Sequence, residues 1–256
     1  MRLDRFLSEM NIGTRAQVKT YVRQGLVAVN GITVKSPDVK IREDADHITF
    51  RGKLLSYQKY VYYMLNKPEG VVSATNDNTA ETVVSLLGED RRKDIFPVGR
   101  LDKDTTGLLL LTNDGELAHL LLSPKRHVDK TYQATVSHPL TPEDVSRLEQ
   151  GVDIGEEHPT LPARVSVGAE NTIFITVQEG KFHQIKRMLQ AVDNSVLALK
   201  RITFGCLELD RTLKPGEYRA LTDMETGRLR ELVCPLWEKT GISTVPPYIQ
   251  EDLNET

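Results

Sequence analysis

Hydrophobic positions along this chain change period several times, and each change predicts an element. Leu3, Phe6, Leu7 and Met10 recur at helical spacing. After Thr14, a good N-cap, Val18, Tyr21 and Val22 share one face of a second helix that Gly25 stops. VAVNGITV then alternates around Asn30-Gly31, the strongest short hairpin signal a sequence carries. From residue 60 the apolar runs lengthen. YVYYMLNK reads as a strand closed by a Pro68-Glu69-Gly70 turn, followed by a short helix over 82–87 and a strand over 95–98. Leu108 to Leu111 form an uninterrupted run between Gly107 and Asn113-Asp114-Gly115, the pattern of a strand buried on both faces. Beyond it the pattern predicts a helix over 116–122 and a strand from Lys130 with Tyr132, Ala134 and Val136 on one face. A helix opened by Thr141-Pro142-Glu143 and ended by Gly151 comes next, then strands over 163–167 and 172–177. Ile185, Met188 and Leu189 define the buried face of a further helix, which leaves Lys181, Lys186 and Arg187 free to point elsewhere. A strand over 197–201, a turn at Lys214-Pro215-Gly216 into an edge strand, and a helix over 222–233 complete the series. Short strands with helices between them predict an α+β class.

Length and composition set the scale. The chain has 256 residues, 39% hydrophobic and 27% charged, enough for two domains and a substantial core. We expect a small module over 1–50, a polar linker over 51–59, a larger domain over 60–236 and a loose acidic tail over 237–256, where Pro246-Pro247 would break any helix that entered it. No apolar run approaches the roughly 20 residues that span a bilayer, and MRLDRFLSEM lacks the apolar core of a signal peptide, so we expect a cytoplasmic protein with no membrane partner. The two cysteines, Cys206 and Cys234, are expected to be reduced thiols in that compartment.

Net charge is -3, which argues against indiscriminate coating of nucleic acid, but the charge is unevenly spread. Between Met1 and Arg42 eight basic residues face three acidic ones. Arg2, Arg5, Arg15, Lys19 and Arg23 fall along the first two helices, either as a stripe that tracks phosphates or as an ordinary solvated face. The sharper signal is GRLDKDTTG, a charged segment running straight into the four leucines. Arg100, Asp102, Lys103 and Asp104 must sit on the loop feeding a rigid strand, where a carboxylate can be held firmly and still face a cleft. Two plainer readings stay open: a surface ion pair between Arg100 and Asp102, and a metal pair of Asp102 with Asp104, for which two carboxylates alone are a poor site.

The run Gly99-Arg100-Leu101-Asp102 followed by Thr105-Thr106-Gly107-Leu108 resembles the signature of pseudouridine synthases, specifically the bacterial ribosomal-RNA enzymes of the RsuA group. The Asn-Lys-Pro-Glu-Gly-Val run at 66–71 is similar to another pattern of that family. Residues 1–50 resemble an S4 RNA-binding domain in hydrophobic spacing and basic placement, which implies Arg2, Arg15, Lys19 and Arg23 as phosphate contacts. The resemblance implies a catalytic domain with a mixed, mostly antiparallel sheet and a cleft across its middle. It implies Asp102 as nucleophile, Tyr132 of Lys-Thr-Tyr as a ring against a flipped uracil, Leu199 beneath the base, and Arg100 as an occupant of the vacated stack. Next to that leucine, Lys200 and Arg201 are expected to add to the RNA surface. His-Gln-Ile-Lys puts the basic partner of the aspartate on Lys186, where many relatives carry arginine. The implied reaction isomerises uridine in ribosomal RNA, most closely the small subunit's 16S rRNA, with large-subunit rRNA or tRNA as alternatives. It needs no cofactor and no metal, and a monomer suffices. A rival from another class is a non-enzymatic ribosome-assembly factor whose S4-like module does the work.

Overall fold

The computed structural model describes residues 1–233 apart from 11, 44 and 56–58; the expected acidic tail, Cys234 and part of the expected linker lie outside the described residues. Helices α1 (Leu3–Glu9) and α2 (Arg15–Arg23) open the chain. Thr14 caps α2 through a reciprocal pair of bonds with Gln17, as its position ahead of the apolar face predicted. Strands β1 (Val27–Val29) and β2 (Ile32–Thr33) form the expected hairpin, with Asn30 and Gly31 both at positive φ, the geometry that makes Asn-Gly favourable there. β3 (Ile48–Phe50) pairs with β1, and Leu3, Phe6, Leu7, Val18 and Val22 close a core beneath this sheet.

The segment expected to begin the linker instead contributes β4 (Lys53–Leu55), which pairs with β3 through an Arg51-Gly52 turn at positive φ. The small sheet therefore runs to Leu55 in the order β2-β1-β3-β4. Three residues are too few to show a two-residue period, and the polar residues flanking Leu54 and Leu55 hid this edge strand.

The larger sheet is built from β5 (Tyr62–Lys67), β6 (Phe96–Pro97), β7 (Thr105–Thr112), β8 (Lys130–Val136), β9 (Arg164–Val167), β10 (Thr172–Val177), β11 (Val196–Phe204), β12 (Leu207–Glu208) and β13 (Tyr218–Ala220). Its order is β13-β5-β7-β11-β8-β10-β9, with β6 added to β7 and β12 to β11. Only β7 and β11 pair in parallel; every other named strand pair is antiparallel. The expected mixed, mostly antiparallel sheet in an α+β fold is what forms. Helices α3 (Gly115–Leu122), α4 (Pro142–Gln150), α5 (Gln184–Gln190) and α6 (Asp223–Val233) flank it. Residues 85–90, near the short helix expected over 82–87, form a 3-10 turn kinked at Gly88.

The four leucines explain the architecture. Leu108 and Leu110 point into one core with Met64, Leu117 and Phe204; Leu109 and Leu111 point into another with Leu65, Leu87 and Ile95. All four are fully buried, because β7 has packed layers on both faces. A third core lies under the β8-β10-β9 half, where α4 and α5 supply Leu148, Ile185, Met188 and Leu189. β7 and β11 form the seam between the halves. Gly107 sits on that seam at φ +98, and a Cβ there would overlap the Arg201 carbonyl oxygen. Arg201, expected with Lys200 to add to the RNA surface, is buried and donates from Nε to the Leu108 carbonyl at 2.8 Å. Only Lys200 stands exposed.

Candidate active site

The loop from Gly99 to Asp104 reaches the start of β7, and bonds to its backbone hold it on several sides. Ser73 Oγ donates to the Leu101 carbonyl at 2.8 Å and accepts from its N–H at 3.0 Å. The Gly70 N–H donates to the Lys103 carbonyl at 2.8 Å, and the Thr105 N–H donates back to the Asp102 carbonyl at 3.1 Å. Lys67, fully buried, donates from Nζ to the carbonyls of Pro68 (3.1 Å), Lys103 (3.3 Å) and Thr105 (2.9 Å). Burial lowers the Lys67 ammonium to about 8 against the pull of Asp104, Asp102 and Glu69. Most of the clamp therefore comes from the Lys67–Ser73 segment, which sequence reasoning treated as a turn and a family pattern without a job. The signal for Lys67 was in plain view: a lysine ending an apolar strand run, where burial demands partners.

Asp102 is about one-third exposed, and its Oδ2 lies 3.3 Å from Lys186 Nζ. Its Oδ1 lies 3.5 Å from His183 Nε2, a neighbour the residue pattern did not single out. Among the described residues no ion pair joins Asp102 to Arg100, so the surface-pair reading is not what forms. Lys186 is nearer to Asp104, at 2.7 and 2.8 Å from its two carboxylate oxygens. Burial works against the Lys186 ammonium, but the hydrogen bond to Asp104 and the charges of Asp102 and Asp104 outweigh it and hold Lys186 above its ordinary value. The Lys186 hydrogen bond in turn keeps Asp104 below the usual carboxylate range. The space between the two carboxylates, where a bridging metal would sit, is filled by this ammonium. Among the described residues no cluster of three or more ligating side chains could hold a metal ion.

One cleft of about 470 Å³, open mouth included, joins these groups. Arg100, Asp102 and Thr105 line it from the loop and β7, Tyr132 from β8, Leu199 from β11, and His183 and Lys186 from the α5 entrance. Register explains the convergence: Leu199 lies beside Thr105 on one side and Ala134 on the other, so alternation carries Thr105, Leu199 and Tyr132 to one sheet face. Tyr132 packs against cores on both sides of the seam, Leu199 is nearly buried, and Arg100 is exposed at the rim. The Thr105 hydroxyl is buried in the cleft wall without a hydrogen-bond partner among the described residues.

The residues expected to meet RNA in the small domain divide. Arg15, Lys19 and Arg23 are exposed at every fourth position of α2, alongside buried Val18 and Val22, and form one stripe. Arg2 is engaged instead with Asp4, through Nε–Oδ1 at 3.0 Å and Nη2–Oδ2 at 2.9 Å.

A cleft lined by a carboxylate, an ammonium and an aromatic ring, in a chain that also carries a small module with a basic helix stripe, suits an enzyme that modifies RNA. The profile of the RNA pseudouridylate synthase family matches residues 61–191, that of the S4 domain matches residues 1–47, and the chain belongs to the pseudouridine synthases of the RsuA group. It is an isomerase that acts on RNA. An uncharacterized RNA pseudouridine synthase of Bacillus subtilis, YtzG, is 45% identical, covering 90% of this chain and 99% of its own. The ribosomal small subunit pseudouridine synthase A of Haemophilus influenzae is 40% identical over the same shares. A crystal structure of a pseudouridylate synthase, 38% identical, superposes with a TM-score of 0.64, covering 90% of this chain and 99% of that one. Among the described residues no helix is long and apolar enough to cross a membrane.

Proposed function

We propose that the protein converts a uridine of ribosomal RNA, in the small subunit, to pseudouridine, with Asp102 as the nucleophile. The observation that carries this reading is the 3.3 Å pairing of Asp102 with Lys186 inside the cleft lined by Tyr132 and Leu199. Small-subunit RNA is favoured by relatives such as the Haemophilus influenzae enzyme, similar over nearly their whole length.

The chemistry fits these residues. Isomerisation breaks the C1′–N1 bond, joins C1′ to C5, removes the proton from C5 and leaves one on N1, with no net redox change. A carboxylate oxygen acting on the target nucleotide must be ionised and held in place. The Lys186 ammonium favours the ionised form against desolvation, and the bonds from Ser73, Gly70 and Lys67 hold the loop. The target base leaves its stack at a cost of a few kcal/mol and is received between Tyr132 and Leu199, with Arg100 at the rim where the vacated space would lie. The Thr105 hydroxyl, otherwise unpartnered, meets a polar atom of the bound nucleotide. Arg15, Lys19 and Arg23 supply phosphate contacts that position the enzyme without reading sequence.

The test is Asp102→Asn, assayed on a small-subunit rRNA transcript, with pseudouridine mapped across all RNA of a deletion strain. Loss of product from the variant and of one small-subunit pseudouridine from the strain is expected. Product from Asp102→Asn would overturn the nucleophile, and loss of a large-subunit or tRNA pseudouridine instead would overturn the target.

A further inference from the structure

The loop entering α5 carries a pair of rings that bond exchange does not require. Phe182 is 66% exposed and is the one aromatic among the large apolar side chains that stand exposed in the described residues. Its ring stacks on the His183 imidazole, with centroids 3.7 Å apart and planes 22° from parallel. His183 in turn lines the cleft beside Asp102. A two-ring stack therefore leads outward from the carboxylate, and the opposite face of Phe182 meets no ring or cation among the described residues.

An exposed phenylalanine on a slack loop would mean little, but this one is tethered. Arg187 donates from Nη1 to the Phe182 carbonyl at 3.1 Å, and is itself bound to Glu156 at 2.6 Å and to the Ile154 carbonyl. Lys181 donates from Nζ to the carbonyls of His158 and Pro159, each at 3.1 Å, and its N–H donates to Gln184 Oε1 at 3.0 Å. His183 occupies the left-handed region at φ +50 with no side-chain cap, a conformation that a non-glycine residue keeps only when its surroundings over-determine it. The fold thus fixes the backbone that carries Phe182, and its ring stands exposed on the His183 imidazole at the mouth of the cleft.

We infer that Phe182, backed by His183, is a stacking subsite for a nucleobase next to the target in the RNA chain. The inference rests on reading the cleft as the place that receives the extruded uridine. Extruding one base strips its neighbours of a stacking partner, and a fixed aromatic face restores it for a base of any identity. Such a contact acts on binding, whereas Asp102 and Lys186 act on chemistry.

The experiment uses the full chain and a small-subunit rRNA transcript, with KM and kcat measured for Phe182→Leu, Phe182→Ala and Phe182→Trp and thermal melting recorded for each. Leucine keeps apolar bulk without a π face, and tryptophan enlarges that face. We expect the Leu and Ala variants to raise KM about tenfold with kcat nearly unchanged, and the Trp variant to keep KM near wild type. Unchanged KM for Leu and Ala would overturn the subsite, as would a Trp variant as weak as Ala or a common loss of thermal stability that accounts for all three. If the wild-type protein leaves the small-subunit transcript unmodified, the target assignment fails separately, and the same KM comparison on the RNA it does modify still decides the subsite.

Discussion

Two carboxylates compete for one lysine at the cleft, and Asp104→Asn separates their roles. Lys186 Nζ lies 2.7 and 2.8 Å from the oxygens of Asp104 but 3.3 Å from Asp102. By distance alone Asp104 is the stronger partner. Exposure reverses the ranking, because the Asp104 side chain is 60% exposed and the Asp102 side chain 32%. At 3.3 Å a pair of unit charges is worth about 5 kcal/mol at an effective dielectric near 20 and about 1 kcal/mol in water, and the recessed pair lies nearer the first limit. An exposed pair is worth about 0–1 kcal/mol, which caps the effect of Asp104→Asn on rate at roughly fivefold. The substitution keeps the shape of the side chain and leaves Asp102 as the carboxylate on the ammonium. Single-turnover conversion of an rRNA transcript, read as pseudouridine formed per enzyme, should therefore fall less than about fivefold for Asp104→Asn and to background for Asp102→Asn. Comparable losses of a hundredfold or more in both variants would refute the division of roles. An active Asp102→Asn beside a dead Asp104→Asn would move the nucleophile to Asp104.

Three further outcomes follow from the same geometry. Gly107→Ala would drive a Cβ into the Arg201 carbonyl at φ +98, costing at least about 2 kcal/mol and lowering the melting temperature by about 4–8 °C; an unshifted transition would mean that the seam between β7 and β11 yields easily. Replacing Arg15, Lys19 and Arg23 together by alanine should weaken RNA binding and reduce the slope of log K against log salt by about 2, while kcat stays unchanged; an unaltered slope would remove that stripe from the RNA interface. Burial lowers both Lys67 and Lys130 to about 8 in the folded chain, so between pH 8 and their ordinary values near 10.5 the unfolded chain binds more protons. Their contribution to stability is thus full at high pH and lost as pH falls through about 8. Chemical denaturation should show stability rising from pH 8 to 9.5, with a shallower rise in Lys130→Met, and a flat profile would contradict the burial of these ammonium groups.

Periodicity and cap residues were sufficient for most elements. Thr14 and Thr141 start their helices through capping boxes, Asn30-Gly31 makes its hairpin, and Leu108 to Leu111 form the doubly buried strand, because each depends on interactions within a few residues or on burial that composition records. Motif order was sufficient for the family. The mixed run at 51–59 misled, since a three-residue edge strand is too short to show a period and its leucines are flanked by polar residues. Arg201 misled in the other direction: its charge suggested surface, yet its stem and guanidinium cross the seam to a carbonyl on β7.

Local sequence therefore determined which segments are helix and strand and which residue types carry chemistry. Beyond the grouping of Asp102, Lys186, Tyr132 and Leu199 that the family resemblance implied, tertiary structure decided who meets whom. Lys186 lies 82 positions from Asp104, with which it shares its ammonium, and Lys67 clamps a loop 36 positions away. Such pairings come from the parallel register of β7 with β11 and from the landing point of α5, and neither is encoded within any one window of the chain. Contacts of this separation form only when the whole sheet closes, which is why family motifs can name the carboxylate and its lysine while the folded seam adds Asp104, His183 and the Lys67 clamp.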